Sequence, residues 1–325
     1  MTVSQNLAVA GGAFVASLIA TPLATRFASR IGLVDQPGPL KPQASATPYL
    51  GGIGLAFGLG LGTAIVDPWL LVPLGMALAL GTVDDVRPLP PVARLLGELA
   101  IGLVLAAVVS TRFGAAGFLL VPAAALVLMN GFNLLDGLDA LCGSVTLVGA
   151  AGFSVLLTGD TRSLALALAG AAAAFLVFNR PPARVYLGDG GAYLVGISMT
   201  ALLALAWAPG VPRSTGVGAL AVIALPVAEV ALAMLRRMRT GRSLFTGDRD
   251  HPYDALVRSG WRVGRTVAVY ALAEMLAVAL ALLASHLASK LAWVVLALTV
   301  LGLLTAGLQA GSGSRNQKPT DELST

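Results

Sequence analysis

Five aspartates, Asp84, Asp85, Asp136, Asp139 and Asp189, stand at the ends of long apolar segments, where hydrocarbon should give way to water. A charge at the centre of a membrane helix costs roughly 3 kcal/mol on insertion scales, so carboxylates gathered at one membrane face need a use. Holding a divalent metal and a phosphate is such a use. In Gly81-Thr82-Val83-Asp84-Asp85 the two carboxylates point about 100° apart if helical, so one can approach a metal or phosphate while the other orients it. A carboxylate pair solvated at a helix end would read the same way.

A second run, Asn130-Gly131-Phe132-Asn133-Leu134-Leu135-Asp136-Gly137-Leu138-Asp139, repeats a polar group at every third position. On a helical turn this stacks amide and carboxylate oxygens along one slowly rotating stripe, with glycines permitting close backbone approach. Mg²⁺ takes such oxygens and completes its shell with substrate phosphates; helix capping is the competing use. In the third run, from Asn179 to Gly191, Asp189 is flanked by Gly188, Gly190 and Gly191. Such a turn exposes successive N–H groups to an anion or metal site, although a plain N-cap also suits it. Lys41, in the Pro-rich Asp35–Gln43 segment, and Arg94 could each hold a phosphate or snorkel to lipid headgroups. The last polar stretch, Asp248-Arg249-Asp250-His251-Pro252-Tyr253-Asp254, leads to Arg258 and Arg262.

The elements that must position these groups follow from composition. With 57% hydrophobic and 11% charged residues and a mean hydropathy of +0.84, the chain lies far from a soluble domain. Apolar windows near 7–25, 50–66, 69–84, 95–110, 117–135, 142–158, 163–179, 190–207, 216–238, 265–285 and 288–308 predict an all-α, polytopic membrane bundle of about eleven transmembrane helices. Most connections are short, the exceptions being Arg30–Tyr49 and Arg239–Arg265, which predicts one membrane domain over 1–310. The Gly/Ser/charge-rich tail over 311–325 is expected to be disordered. The N-terminal residues before the first apolar run carry no positive charge, and no cleavable leader is expected.

If odd-numbered loops share a side, that side carries seventeen of the 21 Lys and Arg residues and the other only Arg112, Arg162, Arg213 and Lys290. Basic residues accumulate in cytoplasmic loops, which predicts a plasma-membrane protein with its N-terminus outside and its C-terminus and aspartates inside. The net charge of +5 then faces anionic lipid and substrate phosphates, with no need for nucleic acid. The single cysteine, Cys142, is read as a small core residue, and His286, with no acidic neighbour, as interfacial filler.

In this order and membrane phase, the Asp-Asp pair, the Asn-x-x-Asn-x-x-Asp-Gly-x-Asp run, Gly-Asp-Gly-Gly and the His-bearing loop resemble the polyprenyl-phosphate N-acetylhexosamine-1-phosphate transferases, from about Asp35 to Arg262. The resemblance implies an enzyme passing GlcNAc-1-phosphate, or a related sugar phosphate, from a UDP-N-acetylhexosamine to polyprenyl phosphate in the bilayer, releasing UMP for cell-envelope glycan synthesis. It further implies Mg²⁺, with Mn²⁺ as a substitute, on Asn133 and Asp189; Asp84 and Asp85 acting on the lipid phosphate; and Asp136 essential in the same site. Lys41 and Arg94 would hold phosphates, Asn130 and Asp139 would line the substrate site, and His251, with Arg258 or Arg262, would grip the pyrophosphate or sugar. The family loop usually reads His-x-His-His, whereas His251-Pro252-Tyr253-Asp254 stands here; Gln43, Arg94 and Ala140 replace an expected His, Lys and Gly. Within the family, the helix count and short last loop look more like GlcNAc-1-phosphate transferases than the phospho-MurNAc-pentapeptide transferase. Pairing of two copies is compatible with the sequence. An ion-coupled transporter is the alternative of a different class, but transporter sites favour the midplane, and here only Glu98, Glu229 and Glu274 lie inside spans.

Overall fold

The computed structural model describes residues 2–35, 47–243 and 250–313, so Lys41 and the tail beyond Gly313 lie outside the described residues. Its helices are α1 (Val3–Ile31), α2 (Gly51–Val66), α3 (Leu71–Val86), α4 (Pro91–Phe113), α5 (Gly117–Leu135), α6 (Leu141–Leu156), α7 (Arg162–Asn179), α8 (Gly188–Ala206), α9 (Arg213–Val222), α10 (Ala224–Arg239), α11 (Pro252–Arg258), α12 (Val263–Ser285) and α13 (Ser289–Gly313). A two-residue antiparallel bridge, Val34–Asp35 with Thr47–Pro48, accompanies them. The chain is an all-α, multi-pass membrane protein.

Among the described residues, eight helical segments are long and apolar enough to cross a bilayer, α3 being lengthened by the 3-10 turn Pro68–Leu70 and α7 by Gly159–Thr161, and the bent α9–α10 pair makes a ninth. The other two apolar windows are α2 and α6, each of 16 residues. At 1.5 Å per residue each is about 24 Å long, short of a full hydrocarbon thickness. The ninth window also departs from a straight span, because the chain breaks at Ile223 with a 54° bend. Pro226 explains the break. It lacks an N–H, and its ring would clash with the carbonyl of Val222, the last residue of α9. The final long connection is not bare loop either, since it folds into α11, and α13 takes in the first three residues, 311–313, of the expected tail.

Helix α8 is the centre, with 94% of its apolar window buried, whereas α13 is peripheral at 11%. It packs on α3, α5 and α2 through small residues. A Cβ on Gly81 of α3 would lie 2.4 Å from the Asp189 carbonyl carbon, and one on Gly196 of α8 would lie 2.4 Å from the Cα of Met129 on α5. Such contacts draw backbones together where hydrocarbon offers no hydrophobic driving force. They also bring the C-terminal ends of α3 and α5 and the N-terminal ends of α4 and α8 to one end of the bundle.

Candidate active site

Asp85 does not point freely into water. Its Oδ1 accepts the Asp189 N–H at 2.9 Å and its Oδ2 the Gly190 N–H at 3.2 Å, so α3 supplies the carboxylate that caps the otherwise orphaned first turn of α8. Gly188 turns this corner at φ +74°, and a Cβ there would meet Asp85 Oδ2 at 2.6 Å; only glycine satisfies both demands. Asp84, 7% exposed, accepts the Leu89 N–H at 2.7 Å and the Tyr193 hydroxyl at 3.3 Å, with the Arg94 guanidinium 3.7 Å away. Arg94 also faces Glu98 at 3.8 Å, and Glu98 accepts from Asn130 at 2.5 Å. Asn133 donates to Asp189 at 2.5 Å.

Asp136 follows the end of α5 and accepts the Gly188 N–H. Burial first, then the neighbouring charges of Asp189 and Asp85, push its carboxyl well above the usual carboxylate range. Asp139 accepts the Ala183 N–H at 2.9 Å, while Asn179 accepts the Ala140 N–H and donates to the Val185 carbonyl, each at 2.8 Å. These bonds clamp the α5–α6 and α7–α8 connections to each other. The second is tied in turn to the start of α2 by Gly51 N–H to Tyr186 carbonyl at 3.0 Å and Gly52 N–H to Leu187 carbonyl at 3.1 Å.

Asp84, Asp85, Arg94, Asn130, Asn133, Asp136, Asp139 and Asp189 are thus brought together as expected, from α3, α4, α5 and α8 and the connections between them. Three residues of the last loop are not. His251 is 3% exposed, with Nδ1 3.5 Å from Glu229 of α10. Arg258 pairs with Asp250 at 3.3 Å, and Arg262 is an exposed residue just ahead of α12. Glu98 and Tyr193 were not assigned to the site from sequence. Glu98 had a signal, since it follows Arg94 by one helical turn in an apolar helix, while Tyr193 reads as an ordinary core residue. A cavity of about 620 Å³ at the opposite end of α8 has no Asp, Glu or His in its lining and is not this site.

Among the described residues no three His, Cys, Asp or Glu side chains form a ready-made metal cage. The donor set nevertheless fits Mg²⁺, which binds through one or two carboxylates plus substrate phosphates. Asp189 supplies a carboxylate. Beside it, Asn133 offers an amide whose oxygen and nitrogen exchange places on a half-turn of the side chain.

The sequence model described as glycosyl transferase family 4 matches residues 68–208, a stretch containing every carboxylate of this cluster. This stretch of the chain is similar to glycosyl transferase family 4. The similarity to individual proteins extends beyond that stretch. The chain is 27% identical over 312 residues to the undecaprenyl-phosphate alpha-N-acetylglucosaminyl 1-phosphate transferase of Escherichia coli (strain K12), covering 87% of this chain and 85% of that protein. The protein of the same name from Salmonella typhimurium is 28% identical over 315 residues, covering 88% and 85%. A probable undecaprenyl-phosphate N-acetylglucosaminyl 1-phosphate transferase of Bacillus subtilis is 25% identical over 277 residues, covering 76% and 77%.

Proposed function

We propose that this protein is a glycosyl transferase family 4 enzyme that transfers N-acetylhexosamine-1-phosphate, with GlcNAc-1-phosphate the preferred group, from a UDP-sugar to polyprenyl phosphate at the cytoplasmic face of the plasma membrane. The observation that carries the reading is the meeting of Asn133, Asp136 and Asp189 with the Asp85-capped start of α8. The names of the relatives support the lipid acceptor and the sugar phosphate.

In the reaction an oxygen of the lipid phosphate attacks the β-phosphorus of the UDP-sugar. The bond from that phosphorus to the bridging oxygen breaks, and UMP leaves with the electron pair. Phosphoryl transfer needs alignment and charge neutralisation more than covalent chemistry. Mg²⁺ held by Asn133 and Asp189 would neutralise charge on the pyrophosphate. Asp85 fixes the backbone that carries Asp189, and Arg94, oriented by Asp84 and Glu98, presents a cation to phosphate oxygens. Lys41 is assigned to phosphate binding on the family resemblance. The lipid phosphate has a second pKa near 6 and is largely dianionic at neutral pH, so direct attack needs no strong base.

The test is release of UMP from a panel of UDP-sugars by the purified protein in detergent with Mg²⁺ and undecaprenyl phosphate. Release from UDP-GlcNAc that requires both the lipid and the metal is expected. No release from any sugar of the panel would overturn the reading.

A further inference from the structure

Four aromatic and acidic side chains of α10, α11 and α12 form a buried cluster directly behind the Asp136 loop. Tyr253, 3% exposed, donates its hydroxyl to the Leu134 carbonyl at 2.7 Å. That carbonyl belongs to the last turn of α5, where helical carbonyls lack intrahelical partners. The ring also fills the place a side chain would take at Gly137, since a Cβ there would lie 2.2 Å from the Tyr253 hydroxyl oxygen. Tyr253 therefore touches the residues on either side of Leu135 and Asp136.

The ring is itself held on two sides. His251 stacks on it at 5.2 Å and 6°, and Tyr270 meets it edge-on at 6.1 Å. Both of these are fixed by one buried carboxylate, Glu229, which accepts the Tyr270 hydroxyl at 2.7 Å and lies 3.5 Å from His251 Nδ1. Glu229 is 2% exposed and lies on α10, six residues beyond the break at Ile223.

We propose that Tyr253 is a positioning residue for the transfer reaction, setting Asp136 through the end of α5, and that His251, Tyr270 and Glu229 hold Tyr253 in place. This rests on the functional reading of the aspartates given above. It gives the departure from His-x-His-His a physical role: Tyr253 reaches a backbone carbonyl with its terminal hydroxyl, and His251 acts on the site through the ring it stacks on. Asp136, whose charge is disfavoured by its surroundings, is held in register by this brace.

Tyr253→Phe keeps the ring against Gly137 and removes only the hydroxyl. In purified full-length protein, kcat for UMP release is expected to fall at least about tenfold while KM for UDP-GlcNAc stays within about twofold. Backbone amides over 136–140 should exchange with deuterium at least about tenfold faster, with the rest of α5 unchanged. A raised KM with intact kcat would make Tyr253 a substrate contact and overturn the proposal. Unchanged exchange over 136–140, or faster exchange with unaltered kcat, would overturn it as well. If the wild-type protein releases no UMP, the transferase reading falls, and the exchange measurement alone decides whether the brace exists.

Discussion

Asp136 sits where burial and the charges of Asp189 and Asp85 all disfavour its ionised form. Its folded-state pKa is therefore raised above the unfolded value of about 3.9. Stability from this group is fully present below that unfolded value and is lost as pH rises through the folded pKa, because the unfolded chain gives up the proton first. Asp136→Asn should accordingly abolish turnover yet raise the thermal midpoint of the metal-free protein. The gain should be absent near pH 4 and largest at pH 7 to 8, read by melting in detergent across pH; a variant less stable than wild type at pH 8 would contradict it. Asp84 and Asp85 look equivalent in sequence and are not: one takes a loop N–H, a tyrosine and an arginine, the other the first turn of α8. Adjacent helical positions face different neighbours, and which neighbours they are is a tertiary fact that the spacing of the two aspartates does not carry.

Helix α6 starts at a residue that works against its own backbone. Ala140 adopts φ +65°, a left-handed conformation that costs an L-residue roughly 1 kcal/mol, at a position where the family resemblance leads one to expect glycine. Ala140→Gly should stabilise the protein by about 1 kcal/mol, provided the N–H bond to Asn179 survives, and leave kcat unchanged. Equilibrium unfolding compared with wild type checks this, and a loss of stability would mean the strain is not relieved. The helices were legible because apolar length is a one-dimensional property, so all eleven windows correspond to helical segments. The α9–α10 break was legible in principle from Pro226 but is hidden by the continuous hydrophobicity around it. The destination of His251 was not legible. Its partner Glu229 lies across a connection of more than ten residues, and a histidine in a charged loop reads as exposed until packing draws it inward.

Across the whole bundle, the four helix ends that carry the aspartate cluster meet at one membrane face, the arrangement an enzyme needs if one substrate arrives from water and the other from lipid. The asymmetry of basic residues predicts that this face is the cytoplasmic one, as the proposed function requires. A cysteine placed at Ser243 should then be protected from impermeant thiol reagents in intact cells and one at Gly210 labelled, with Cys142 silent because it is buried. The reverse pattern would put the aspartates outside the cell, away from UDP-sugars. Glycine contacts such as Gly81 against Asp189 mean that the site is built on close helix packing, so its geometry and the stability of the bundle are linked. The most direct test of the account is to follow a UDP-GlcNAc labelled at the β-phosphorus. With undecaprenyl phosphate and Mg²⁺, the wild-type protein should move the label into the organic phase and release unlabelled UMP. Asp189→Asn, folded and equally abundant, should move none. Label left in water as UDP, or transfer by Asp189→Asn at near wild-type rates, would contradict it.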